Sequence, residues 1–224
     1  MNFEIDQNVK KLGIQVVFLV LHNINNDIND PKHNNVISDY HDLLLQNKTY
    51  ESISRHPHLV GYHDLHDSIN MRNKRLLSSP QSMFRVLFEK RKLTSINFLV
   101  DSYNYVSMKH HISIGAHDLE EIEGNVNLNL SSGNELFVPL GAKKSETISQ
   151  GEYCYFDDTE EVICRLECKQ CNRTKISKNS NSALVIFQGN KNIELDLLLI
   201  AVKELIEFIN QYNDEPLDYS MDIR

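Results

Sequence analysis

The spacing of apolar residues changes at Ile112, and that change limits the folds open to this chain. Upstream, apolar side chains recur at helical intervals. Ile37, Tyr40, Leu43 and Leu44 share one face of residues 37–46, and Ile96, Leu99, Val100 and Tyr103 share another. Downstream, Val126, Leu128 and Leu130 alternate with Asn125, Asn127 and Asn129, the period of a half-buried strand. The helical period returns over residues 193–210, where Leu195, Leu198, Leu199, Val202, Leu205, Ile206 and Ile209 form one stripe. Helices, then mainly antiparallel strands, then a helix describe an α+β chain rather than alternating βαβ units.

Finer signals fill in this frame. Residues 12–21, rich in Val, Ile and Leu, predict a buried strand, and the Asn/Asp-rich residues 23–35 a loop. A weaker helix is expected over 59–70. Ser78-Ser79-Pro80-Gln81 predicts a helix start, with a serine as cap and Gln81 or Ser82 reaching back, and the helix runs to about Arg91. A second helix starts at Thr94 or Ser95 and reaches Met108. Residues 131–134 predict a turn pairing 126–130 with 136–140, and Asp157–Glu161 a hairpin between 153–156 and 162–166. Residues 183–187 are a last short strand, and the tail from Asp214 is expected to fray.

A length of 224 residues suits one domain, with residues 1–74 as an N-terminal elaboration. The net charge of −8 argues against tight, sequence-blind nucleic-acid binding. Two basic clusters remain as a local surface for RNA: Arg72, Lys74 and Arg75, then Arg85, Lys90, Arg91 and Lys92. No apolar run approaches membrane-spanning length, and Met-Asn-Phe-Glu-Ile-Asp has no signal-peptide character, so a cytoplasmic protein with reduced thiols and no membrane partner is expected. Cys164-x-x-x-Cys168-x-x-Cys171 has the spacing of a cluster-binding loop but falls across a strand, where side chains diverge; neither metal nor cofactor is expected. His56, His58, His63 and His66 read as the solvated face of a helix. His110, His111 and His117 form a local group that could supply a base near neutral pH. The residues carry no signal of oligomeric state.

The segment Asn104-Tyr-Val-Ser-Met-Lys-His-His-Ile-Ser-Ile-Gly-Ala-His-Asp-Leu-Glu-Glu-Ile-Glu-Gly124 resembles, without a gap, the opening of the tRNA-editing site in the beta subunit of phenylalanyl-tRNA synthetase. Ser79-Pro80 with Leu93–Asp101, Pro139-Leu-Gly141, Gly151-Glu-Tyr153, Val162–Arg165 and Ser180–Gly189 are similar to further family segments in the same order, so residues 75–190 are covered. The resemblance implies a barrel-like, mainly antiparallel sheet layered with helices, and hydrolysis of the ester between an amino acid and the terminal ribose of tRNA. It further implies a free-standing protein acting in trans, with the aminoacyl end of tRNA as partner. The alternative is a non-catalytic module that holds a free amino acid or an RNA end.

Carried over residue by residue, the resemblance points to Asn104 and His117 for catalysis. Ser107 offers a polar contact, Gly115 and Ala116 backbone amides for the oxyanion, and Glu167 or Asp118 a site for the substrate ammonium. Arg165 and Lys175 would meet ribose or phosphate. A family histidine falls at Gly115, a Gly-Gly pair near Leu166 and Glu167, and the acid implicated in tyrosine recognition at Ile186. Tyrosine specificity is therefore not carried over. The pocket floor at Ile186 is expected to be apolar and to favour a small or aliphatic side chain.

Overall fold

The computed structural model describes residues 1–71 and 76–224. In chain order, β1 (Phe3–Ile5) and the one-turn α1 (Gln7–Lys10) precede β2 (Val16–His22). Helices α2 (Pro31–Asn47), α3 (Tyr50–Ser54), α4 (Pro57–Ser68), α5 (Ser79–Lys90) and α6 (Phe98–His110) follow. Next come β3 (Ser113–Asp118), β4 (Val126–Leu130), β5 (Leu136–Phe137), β6 (Glu146–Thr147), β7 (Tyr153–Phe156), β8 (Val162–Arg165), β9 (Lys169–Gln170) and β10 (Ala183–Gln188). The chain closes with α7 (Leu195–Asn210) and β11 (Asp218–Ile223). Among the described residues no helix is long and apolar enough to cross a membrane.

A four-stranded antiparallel sheet, ordered β11-β2-β10-β3, forms the middle layer. Strand side chains alternate between faces, so an uninterrupted apolar run such as Val16–Leu21 must be buried on both. Val17, Leu19, Val185 and Phe187 meet Leu99, Val106, Leu198 and Leu205 of α6 and α7. Val16, Phe18, Leu184 and Ile186 meet Val126, Leu128 and Tyr155 of a second, five-stranded sheet ordered β1-β4-β7-β8-β9. Phe3 stacks on Phe18 with ring centroids 4.4 Å apart, which ties the first strand between the layers. A third cluster, including Leu44, Ile53, Leu59, Phe84, Leu87 and Met108, welds α2 to α6 into a cap beside β3.

The α+β class and layering agree with the sequence reading, but no barrel closes. Between β3 and the far end of the second sheet, Gln170 Nε2 donates to the Ala116 carbonyl at 2.9 Å and Asp118 N–H to the Thr174 carbonyl at 2.9 Å. Those contacts span the gap without a ladder, and the sheets remain separate.

Several local expectations are corrected. Residues 126–130 do not pair with 136–140. One edge of β4 is taken by β7 and the other by β1, in parallel, while β5 pairs with β6. The Glu135 carboxylate accepts from the Ser132 and Gly133 amides at 2.7 and 2.9 Å, and so turns the chain away from β4. The tail does not fray: β11 pairs with β2 along its length, and Arg224 closes both backbone bonds with Val16. The α6 start lies at the Asn97 cap, whose side chain accepts from Val100 N–H at 3.0 Å. Ser78 stands at the N-cap of α5, but neither its side chain nor that of Gln81 makes a capping bond; both side-chain oxygens are buried with no partner among the described residues, and Pro80 in the first turn is the start signal that holds.

The cap is joined to the middle sheet through Tyr62 of α4. Its hydroxyl accepts from Ser113 N–H at 2.8 Å and donates to the Gln188 carbonyl at 2.5 Å, inserting between β3 and β10 where they part. Tyr62→Phe strands both buried backbone groups. We expect it to lower the unfolding free energy by about 2 kcal/mol, measured by urea denaturation; a loss below about 0.5 kcal/mol would mean that water replaces the hydroxyl.

Candidate functional site

A cavity of about 370 Å³ opens at the gap between β3 and the second sheet. The first turn of α5 supplies Ser79, Ser82 and Met83, and α6 supplies Tyr103 and Asn104. Strand β3 contributes Ser113, Ile114, Gly115 and His117, and β10 contributes Ile186 and Gln188. The wall opposite holds Tyr155, Cys164, Glu167, Cys168, Lys169 and Gln170, with Pro139 and Leu140 at the rim.

Gly115 stands opposite Ile186 in the ladder. A Cβ on Gly115 would lie 2.8 Å from Gln170 Nε2, so any side chain there displaces the amide that reaches across the gap. After β8, Leu166 takes φ 53°, a left-handed conformation unusual for a branched side chain. This is where the resemblance puts a glycine pair. The turn sends the Glu167 side chain into the wall with Cys168 beside it.

Glu167 is buried. Its Oε1 lies 2.8 Å from His66 Nε2, and its Oε2 accepts from the Tyr153 hydroxyl and, at 3.4 Å, from Gln188 Nε2. Burial pushes the Glu167 carboxyl up, but His66 and Tyr153 outweigh it and hold the group below the usual carboxylate range. His66 responds in kind: burial lowers it, and Glu167 more than offsets that, leaving it raised. Ile186 itself packs in the apolar cluster between the sheets, and the polar groups beside it are paired with one another: the Tyr155 hydroxyl donates to Gln188 Oε1 at 2.6 Å.

His117 is fully buried, with Nδ1 2.6 Å from Thr174 Oγ1. Burial, reinforced by Arg173, pulls its pKa down to about 4. At neutral pH it is an uncharged imidazole, which can orient a molecule by hydrogen bonding but takes up a proton poorly. Asn104 is half-buried on α6 and lines the cavity with no hydrogen bond from its amide among the described residues.

The structure thus brings Asn104, Gly115, His117, Glu167 and Ile186 to one cavity. Other candidates are occupied elsewhere. Ser107 Oγ donates to the Ile112 carbonyl at 2.6 Å and finishes α6. Asp118 caps the short 3-10 turn after β3 and accepts from Ser180 at 2.5 Å. Ala116 is not among the cavity-lining residues, and the bond it makes with Gln170 uses its carbonyl rather than the amide expected at the oxyanion. Arg165 is buried against Glu152 at 2.5 Å and reaches Glu146 at 3.2 Å. Lys175 is exposed and does not line the cavity. The grouping of His110, His111 and His117 is not kept: His110 pairs with Glu204 at 2.7 Å, and His111 stacks on His56. Of the basic residues, Lys90, Arg91 and Lys92 are exposed and Arg85 is half-buried, whereas Arg72, Lys74 and Arg75 lie outside the described residues.

Sequence reasoning missed His66 and Gln188. His66 was assigned to a solvated face, yet it is buried while His63 is exposed. The signal was present: Leu59, Tyr62, His66 and Ile69 recur at helical spacing, which puts His66 on the inner stripe of α4.

The depressed pKa of His117 has a measurable consequence. The unfolded imidazole titrates near 6.5. The folded group resists protonation until about pH 4. Stability is therefore complete above the unfolded value and is lost as pH falls toward the folded one, by about 3 kcal/mol in total for this group. His111, held at about 3 by burial and by its histidine neighbours, adds to the same loss. We expect His117→Asn to flatten the decline in unfolding free energy between pH 6.5 and 4, followed by urea denaturation; a slope equal to that of the wild type would mean that His117 is charged in the folded protein.

The B3/4 domain family matches residues 69–213, more than half of the chain. Among solved structures, an N-terminal fragment of the phenylalanyl-tRNA synthetase beta subunit from Pyrococcus horikoshii is similar in fold, with a TM-score of 0.52 at 10% sequence identity. The alignment covers 98% of this chain and 50% of that one, so this chain spans about half of that fragment. No curated protein matches.

Proposed function

The chain belongs to the B3/4 domain family, a phenylalanyl-tRNA synthetase beta-related group, and from that premise we propose that it is an aminoacyl-tRNA deacylase acting in trans on mischarged tRNA. Water adds to the ester carbonyl carbon, the bond to the ribose oxygen breaks, and a free amino acid and an uncharged tRNA leave. The observation that most supports this reading is the cavity itself. Asn104, Gly115, His117, Glu167 and Ile186, distant in sequence, all border one space of about 370 Å³, a size that suits an amino acid with part of a ribose.

The chemistry rests on positioning. Asn104 offers an amide with no hydrogen bond among the described residues to the ester oxygen or to the attacking water. His117, neutral at physiological pH, serves as a fixed hydrogen-bonding partner rather than as a proton store. A water held against an ester by such groups gains chiefly through orientation and preorganised dipoles. Helix α5 joins the cavity to the RNA surface. Its first turn lines the cavity, and Lys90 to Lys92 lie at its other end, roughly 17 Å away at helical rise. That separation lets acceptor-strand phosphates run along the helix while the ester occupies the cavity.

The test is a deacylation screen over a panel of mischarged tRNAs. At least one should be hydrolysed above its spontaneous rate, and Asn104→Ala should lower kcat/KM by about 100-fold with the melting temperature unchanged. Hydrolysis of none, together with a free amino acid that raises the melting temperature, would make the cavity a binding site without catalysis. In a separate measurement, Lys90→Glu, Arg91→Glu and Lys92→Glu together should weaken tRNA binding and lower the log–log salt slope by about two to three. An unchanged slope would remove this face from the RNA surface.

A further inference from the structure

We infer that His66 Nε2, Glu167 Oε1 and Cys168 Sγ form a zinc site whose fourth position faces the cavity. The three donors lie within 4.8 Å of one another. His66 Nε2 is 2.8 Å from Glu167 Oε1 and 3.9 Å from Cys168 Sγ, and Cys168 Sγ is 3.5 Å from Glu167 Oε1. A tetrahedral zinc, about 2.0 Å from N and O and about 2.3 Å from S, holds such donors about 3.3 to 3.5 Å apart. Shifts of about half an ångström therefore convert the observed triangle into a coordination face.

The donor set selects the metal. A thiolate and an imidazole disfavour magnesium and calcium, and a carboxylate with a single thiolate does not suit an iron–sulfur cluster. Three protein donors with one position left over is the pattern of a zinc that binds an exchangeable ligand. Glu167 and Cys168 both line the cavity, so an oxygen or nitrogen donor of a bound molecule, or a water, completes the tetrahedron from that side. The surroundings are those of an outer shell: Tyr153 and Gln188 hold the other carboxylate oxygen. The strained Leu166 turn is what allows two consecutive residues, Glu167 and Cys168, to reach the same point. On binding, zinc replaces the hydrogen that His66 shares with Glu167 and the thiol hydrogen of Cys168, and both leave to solvent as protons. Cys171, by contrast, has its thiol against Thr174 Oγ1 at 3.1 Å, outside this group.

The assignment does not rest on ester hydrolysis, and its test uses no tRNA. Protein freed of metal by a chelator is titrated with Co²⁺ and then Zn²⁺. The wild type should bind one Co²⁺ per chain, with the visible bands of a tetrahedral ion and one thiolate charge-transfer band, and Zn²⁺ should displace it. Cys168→Ser should abolish the charge-transfer band and weaken affinity by about 100-fold or more, whereas Cys171→Ser should leave both intact. Absence of a tetrahedral spectrum in the wild type, or a charge-transfer band that survives Cys168→Ser, overturns the assignment. Should Cys168→Ser fail to fold, X-ray absorption on the zinc-loaded wild type decides: one sulfur with nitrogen and oxygen neighbours supports the site, and a shell without sulfur, or with two or more, rejects it.

Discussion

The two-sided burial of β10 governs the rest of the molecule. Every residue of this strand is buried. Ala183, Val185 and Phe187 belong to the helical layer, while Leu184 and Ile186 belong to the layer between the sheets. A slip of one residue would exchange these sets, driving Phe187 between the sheets and Gln188 among apolar helices. The register is therefore fixed by packing on both faces. With β10 fixed, β3 is fixed beside it, and Gly115 comes to stand opposite Ile186 at the cavity. The position of the candidate site is thus a consequence of core packing rather than of any group inside the site.

Three buried carboxylates then shape the second sheet. Glu152 is held by Arg165, Asp157 by Arg173 and Glu167 by His66. Burying a carboxylate is costly unless a partner and further hydrogen bonds meet it, and each of these is met. The first two pairs clamp the β7–β8 hairpin and its turn. The third differs in what it faces: Glu167 borders the cavity, its partner is a neutral-range base rather than an arginine, and a thiol stands beside both. Ordinary sheet construction accounts for the arginine pairs and leaves the His66–Glu167–Cys168 group with chemistry to spare.

Where burial and periodicity coincide, the structure was legible in the sequence. The α7 stripe and the apolar run of β10 were found where expected because each buries a regular set of side chains, and the acidic turn between β7 and β8, exposed over 158–161, was placed by the apolar strands on either side of it. Strand β11 was not legible for the opposite reason. Its residues are exposed or half-exposed, and backbone pairing with β2 holds it without any burial signature. Strand β1 is three residues long and joins in parallel from across the chain, too short for a period to register. The misplaced hairpin after β4 shows that alternation identifies a strand without naming its neighbour. In the site, Gly115 and Ile186 carried a resemblance to follow, whereas Gln188 is a lone polar residue ending an apolar strand and has meaning only beside Tyr62 and Tyr155.

The central claim is that the cavity beside β3 receives the aminoacyl end of tRNA. Titration with a non-hydrolysable 3′-aminoacylamido-adenosine, followed by amide chemical shifts, tests it without requiring turnover. The account predicts saturable shifts concentrated at Ser113, Gly115, Glu167 and Gln170, with the far edge at Tyr219 and Met221 unmoved. Saturable binding that leaves those four amides unchanged, or no binding by any aminoacyl analogue, would contradict it.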